Sequence, residues 1–323
     1  MARLIGHIER VMEVTQSASA AARSRLAASW YRSVSRHGLD PAEARAPDRL
    51  AAQDVAARRE EHQAFLRVAA PRLDRLFSLV GQSGCAVLLT DAQGVVLDQR
   101  MNSGDAAVFE DWGLWSGADW SEAREGTNGI GTCLVEERHV TIHRDEHFFA
   151  RNTAMSCMDA PIYGYDGEIL GALDVSSARS DQTEGFNRLI GAQVAQTARA
   201  IEEAHFRAAF ERARIVVCDS DDTDASTLLA IDENDLVIGA TREARKVFGL
   251  DASGGIAPRP AVDIFGRGEG PSARASGFEK AERAAVVRAL ARADGNVSQA
   301  ARQLGVGRAT LYRRMKRLGL DES

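Results

Sequence analysis

The sequence predicts an α+β domain over residues 26–205, with helices flanking an antiparallel sheet, then a small strand-containing segment and a wholly helical C-terminal unit. Three observations predict it. Apolar residues recur at helical spacing at both ends of the first region, two apolar runs inside it are each split by a glycine turn, and a second helical pattern rich in alanine and arginine closes the chain.

Leu26, Trp30 and Val34 stand at i, i+4 and i+8, and Phe65, Leu66, Leu73, Leu76, Phe77 and Val80 continue the helical pattern to a break at Gly81. Residues 1–25 read as a helical tail before them. The period then changes. Residues 85–98, CAVLLTDAQGVVLD, are two short apolar runs around a turn at 91–94, and residues 158–175 repeat the design around Tyr165-Asp166-Gly167, so each predicts a hairpin. Helical spacing returns over 183–212, with Phe186, Ile190, Val194 and Ile201 on one face. Residues 213–277 are less regular: TLLAIDENDLVIGATREARKVFGL reads as strand, turn at 233–235, strand and short helix, before a stretch rich in proline and glycine that marks a linker. The boundaries expected are a tail at 1–25, a domain at 26–205, a linker segment at 206–277 and a helical domain at 278–323.

An apolar content of 45% excludes a disordered chain, and no apolar run approaches the roughly 20 residues that span a bilayer. The first 25 residues mix charge with apolar side chains, unlike a signal peptide, so the expected location is cytoplasmic and no membrane partner is expected. Cys85, Cys133, Cys157 and Cys218 are widely spaced without CxxC pairing and read as reduced, mostly buried thiols. The net charge of −6 is unevenly spread: residues 279–318 hold ten Lys or Arg against three Asp or Glu, leaving −11 on residues 1–278. An acidic body with a basic end predicts that only the end engages nucleic acid.

In that end, residues 278–293 form an alanine-rich helix stopped by Asp294-Gly295, Asn296 or Ser298 can cap a short helix through Leu304, Gly305 permits a tight turn, and a third helix runs from about Arg308 to Leu318. This is a helix-turn-helix layout. Projected at about 100° per residue, Leu311, Met315 and Leu318 share one face, Ala309, Thr310, Arg313, Lys316 and Arg317 look away from it, and Tyr312 and Arg314 flank the two. Arg308 lies in the first turn, the end that a recognition helix points into the major groove. Arg308 and Arg313 are the candidates for base contact, since guanidinium can grip guanine O6 and N7; Asn296, Ser298, Arg314, Lys316 and Arg317 are candidates for phosphate contact, with Thr310 and Tyr312 also at the interface.

The runs GNVSQAARQLGV and TLYRRMKRLGL resemble the Fis-type helix-turn-helix of bacterial activators, over residues 279–320. Gly307 departs from the pattern, where Ser or Asn is frequent, and removes a cap or a contact. The resemblance implies a homodimer on double-stranded DNA carrying an inverted repeat.

Residues 115–149, WSGADWSEAREGTNGIGTCLVEERHVTIHRDEHFF, with the helices before and the hairpin after, resemble the GAF-type sensory domain of AcoR-like regulators over residues 26–205. Such a domain implies a small-molecule effector. Gly126, Gly129 and Gly131 let the backbone turn near a cavity, and the candidate ligand residues are Trp115, Trp120, Glu125, Thr127, Asn128, Cys133, His147 and Phe148. Structural readings stand beside these: Thr127 or Asn128 reads equally as a helix cap, and the tryptophans as core residues. His139, His143 and His147 with the cysteines suggest a metal, but HRDEHFF lacks the HExxH order and no zinc spacing occurs, so none is expected.

AcoR-like proteins carry an ATPase module that engages sigma-54 polymerase between sensor and helix-turn-helix. No GxxxxGK[ST] phosphate loop and no GAFTGA run occurs in this sequence. Residues 226–265 resemble only the reduced PAS-like piece of such relatives. With no nucleophile elbow either, neither an enzyme nor a bound cofactor is expected. The sequence therefore predicts a ligand-controlled DNA-binding regulator that acts without ATP hydrolysis, by occlusion or by contact with RNA polymerase. The alternative is an adaptor that heterodimerises with a full-length AcoR-like activator and has no operator of its own.

Overall fold

Three helices open the chain, α1 (Ala2–Gln16), α2 (Ala18–Arg23) and α3 (Arg25–Ser35). They come from a computed structural model, which describes residues 2–45, 47–179, 181–218, 226–265 and 278–320. The Ser24 side chain caps α3 by accepting from the Ala27 amide, and the apolar stripe expected at Leu26, Trp30 and Val34 packs on Val11 of α1 and on Phe148 and Phe149. Residues set apart as a tail by sequence thus supply part of a core. Trp30 is 1% exposed, and its indole N–H donates to the Glu146 carbonyl at 2.9 Å, so its polar atom is satisfied inside the protein.

Next come α4 (Ala52–Glu61), which buries nothing, and α5 (Gln63–Val80), which buries Phe65, Ala69, Leu73, Leu76 and Val80 at three- and four-residue spacing. Strands β1 (Cys85–Thr90) and β2 (Val96–Arg100) form the first expected hairpin. After α6 (Ala106–Asp111), α7 (Glu122–Glu125), α8 (Gly129–Glu136) and β3 (Val140–His143), strands β4 (Ser156–Tyr163) and β5 (Ile169–Ser177) form the second, and α9 (Glu184–Ala209) follows. The five strands make one antiparallel sheet in the order β2-β1-β5-β4-β3. Strand alternation divides their side chains: Val87, Leu89, Met158, Ala160, Ile162, Leu173 and Val175 share a core with residues of α5 and α9, whereas Ala86, Leu88, Val96, Cys157 and Ala172 pack with Trp120, Ile130 and Cys133.

The sequence pattern missed β3, whose burial alternates over only four residues. It also misplaced Phe186. At about 100° per residue, Phe186 lies about 60° from the mean direction of Ile190, Val194 and Ile201 and Asn187 about 40° to the other side, and the buried stripe passes through Asn187 instead. Phe186 is exposed, and Asn187 is buried.

The second sheet contains β6 (Arg214–Val217), β7 (Leu228–Ile231), β8 (Leu236–Ala240) and, after α10 (Arg242–Val247), β9 (Arg259–Pro260), in that order, with α11 (Ala261–Phe265) following. The expected strand-turn-strand-helix pattern corresponds to β7, β8 and α10; the flanking strands were not legible. Both faces are covered, because Leu229, Ile231 and Val237 enter one cluster and Leu228, Ala230 and Ile238 another with Phe206 and Phe210. Arg245 is 2% exposed and donates to the carbonyls of Ala240, Asp251 and Gly254, a staple across the segment after α10. The glycine-rich linker expected at 266–277 lies outside the described residues. The chain ends in α12 (Phe278–Arg292), α13 (Val297–Gln303) and α14 (Arg308–Arg317).

Backbone proximity groups residues 1–163 with 169–205 into one unit and residues 164–168 with 206–323 into a second. Replacing Trp30 by Ala should destabilise the first unit by about 3–5 kcal/mol in a denaturant titration, whereas Tyr31→Ala, on an exposed neighbour, should cost under about 1 kcal/mol.

Candidate nucleic-acid interface and the core of the first unit

The C-terminal helices pack through Val286, Ala289, Ala293, Ala300, Ala301, Leu311, Met315 and Leu318, so the face projected from sequence is the buried one. Asn296 is the cap of α13: its side-chain oxygen accepts from the Ser298 and Gln299 amides, each at 3.1 Å. Gly305, at φ +65°, turns the chain between α13 and α14. Gly307 holds the cap position of α14 and supplies no side-chain bond.

With its apolar side buried, α14 presents Arg308, Tyr312, Arg313, Lys316 and Arg317 to solvent, and Thr310 and Arg314 partly so. The Arg308 guanidinium lies 5.5 Å from the Tyr312 ring centroid, a stack that stiffens a long side chain. Arg314 and Arg317 pair instead with Glu282 of α12, Arg314 at 3.4 Å. Another side of α12 is attached to the second sheet. Arg283 donates to the Asn234 side chain at 3.0 Å, Arg288 to the Asn234 carbonyl at 3.2 Å, and Arg292 makes a two-pronged contact with Asp263 at 2.7 Å.

In the first unit, the loop between Trp115 and Phe149 is tied to α3. Glu122, almost fully buried, accepts from Arg32 at 2.6 and 2.9 Å and from Ser29 at 2.7 Å, and Ser29 also meets the Thr127 hydroxyl at 2.7 Å. Asn128 caps α8, accepting from the Gly131 amide at 2.8 Å and donating to the carbonyls of Gly126 and Trp120. A side-chain carbon at Gly131 would lie 2.3 Å from the Glu122 amide, and one at Gly129 would lie 2.0 Å from a carboxyl oxygen of Asp159. These glycines allow α8 to approach closely.

Residues 65–204 match the GAF domain, and residues 277–318 match the bacterial regulatory proteins of the Fis family. The acetoin catabolism regulatory protein of Cupriavidus necator is 32% identical over 243 residues, 74% of this chain and 36% of that protein. The acetoin dehydrogenase operon transcriptional activator AcoR of Bacillus subtilis is 31% identical over 156 residues, 48% of this chain and 25% of that protein. The chain carries a GAF domain and a Fis-type helix-turn-helix and is homologous to AcoR-type activators. It matches little more than a third of the length of the first of these relatives and a quarter of the second. A crystal structure of the E. coli DhaR(N)–DhaL complex shares the fold at a TM-score of 0.51 and 15% identity, over 74% of this chain and 80% of the other. No helix among the described residues is long and apolar enough to cross a membrane.

Within the GAF domain the expected ligand residues divide into separate groups. Trp115, Trp120 and Cys133 join one cluster, Trp120 donating its indole N–H to the Gly113 carbonyl at 2.9 Å and Trp115 keeping its buried N–H without a partner. Phe148 turns away from them to Trp30 and Val11, so these aromatics do not form one wall. Glu125, fully buried, pairs with Arg151; burial still raises its carboxyl to about 7.

His143 and His147 do not share a helix face. His143 ends β3 and meets the Ser156 hydroxyl at 2.7 Å, while His147 is held by the Arg144 carbonyl at 2.9 Å and lies 3.3 Å from the Cys157 sulfur. Burial lowers His147 to about 4, so it is neutral, and since the Arg144 carbonyl can only accept, its proton sits on Nδ1 and its Nε2 faces the thiol as acceptor. Among the described residues no group of three His, Cys, Asp or Glu is arranged to hold a metal.

The sequence reading missed Asp159 and Asp174, although an acid in the middle of each apolar run was the available signal. They are direct partners across β4 and β5 and wholly buried. Burial pushes both up, Asp159 well above the carboxylate range and Asp174 to about 7, and mutual repulsion favours a shared proton. Groups with raised values in the fold stabilise it fully below the unfolded value near ~4 and lose that contribution as pH rises through about 7. The melting temperature of the wild type should therefore fall more steeply from about pH 5 to 8 than that of Asp159→Asn/Asp174→Asn; parallel curves would show that the pair carries no proton.

A further check concerns the cap. Asn296→Ala should cost the helix-turn-helix about 1 kcal/mol, read by amide exchange of α13.

Proposed function

We propose that the protein is a sequence-specific DNA-binding transcription regulator, controlled by a small molecule in its GAF domain and acting without ATP hydrolysis. The observation that carries this is the exposed face of α14, on which Arg308 and Arg313 project from a helix whose apolar side is buried. A homodimer would set two such helices in successive major grooves, Arg308 and Arg313 meeting base edges and Asn296, Ser298, Thr310, Tyr312 and Lys316 the backbone. Homology to transcriptional activators supports the regulatory role.

Action without ATP rests on the interval between the two matched domains. Its 72 residues include the second sheet and contain no phosphate-binding loop. Regulation then proceeds by occlusion of a promoter or by contact with polymerase in the cytoplasm, and effector control requires a ligand that binds two arrangements of the protein with different affinity.

The test is selection of bound genomic fragments by the full chain and by Arg308→Ala/Arg313→Ala at matched salt. Enrichment of an inverted repeat by the wild type, lost in the variant at about 1–3 kcal/mol per arginine, is the expected outcome. A wild type that enriches nothing beyond salt-sensitive background would instead favour the adaptor that works through a full-length partner.

A further inference from the structure

The recognition helix does not offer all its cations equally. Among the described residues, Arg308, Arg313 and Lys316 make no ion pair, whereas Arg314 and Arg317 both engage the single carboxylate of Glu282. That carboxylate belongs to α12 and is 27% exposed, whereas Arg314 and Arg317 are 42% and 60% exposed, so the pairing meets solvent and weakens as salt rises. The two arginines follow the base-reading turn of α14, where a helix in the groove would bring them to the phosphate backbone.

The geometry points to Glu282 as a built-in competitor for DNA phosphate: it withholds Arg314 and Arg317 from the backbone, so that sequence-independent binding is weak and attachment depends on Arg308 and Arg313. The inference rests on the DNA-binding reading above. Sequence-independent affinity comes from phosphate neutralisation and counterion release, with a log–log salt slope of about 0.9 per phosphate neutralised on duplex DNA. Two arginines held by a carboxylate remove up to two such contacts. The other arginines of α12 are engaged as well, Arg283 and Arg288 by Asn234 in the turn after β7 and Arg292 by Asp263 of α11.

The experiment uses the full chain and a duplex of about 30 base pairs of random sequence, with anisotropy read between about 50 and 300 mM salt. Glu282→Gln should bind about ten- to a hundred-fold more tightly near 0.1 M salt, with a slope steeper by about one to two. Asp294→Asn removes the same charge at the turn after α12, where no ion pair with α14 exists among the described residues, and should leave the slope unchanged. Arg314→Ala/Arg317→Ala should change wild-type affinity by less than about three-fold, yet erase the gain in Glu282→Gln. The proposal is overturned if Glu282→Gln leaves the slope unchanged or shallower, or if the double alanine variant of the wild type loses about ten-fold, an outcome that does not depend on how well Glu282→Gln folds. Absence of any wild-type binding at the lowest salt would remove the DNA-binding reading itself, and the inference with it.

Discussion

Burial of both faces of the five-stranded sheet is the constraint on which the first unit depends. Alternation along β4 sends Met158, Ala160 and Ile162 to one side and Cys157 and Asp159 to the other, so each side requires its own cover. The long helices α5 and α9 supply one cover with regular apolar stripes. The other is irregular, made of α8 and the loop around Trp120, and it is here that close approach demands glycine and that polar groups enter the core.

Those polar groups are organised. Glu122, Ser29, Arg32, Thr127 and Asn128 bind one another or the backbone, which ties the loop to α3 and caps α8. Asp159 and Asp174 are the exception, for they face each other across two central strands without a cation. A shared proton is the physical solution available to such a pair.

In the second unit, ionic contacts join helix α12 to its neighbours beside the apolar packing. Helix α12 is gripped by the turn after β7 and by Asp263, and its Glu282 reaches the recognition helix. The basic charge that marks this region in the sequence is therefore partly paired inside the unit, and among the described residues the cations of α14 without an ion pair are Arg308, Arg313 and Lys316. Net charge alone overstates what such a domain offers to DNA.

What the sequence determined by itself were the features set by local chemistry: the two hairpins, from glycine turns between apolar runs; the helix-turn-helix, from the Asn296 cap, Gly305 and the stripe of Leu311, Met315 and Leu318; and the helices around Trp30 and Phe65. Each depends on neighbours within a few residues, and period and turn residues record that directly. Only the tertiary structure decided the rest. Strand β3 is too short to show a period, and β6 and β9 are strands because of the partners beside them. Phe148 and Trp120 lie in one motif yet enter different cores, and the pairings of Asp159 with Asp174 and of Glu282 with Arg314 and Arg317 join residues distant in the chain. No local pattern encodes these, since an ionisable side chain takes its role from the charges and the burial that folding brings to it.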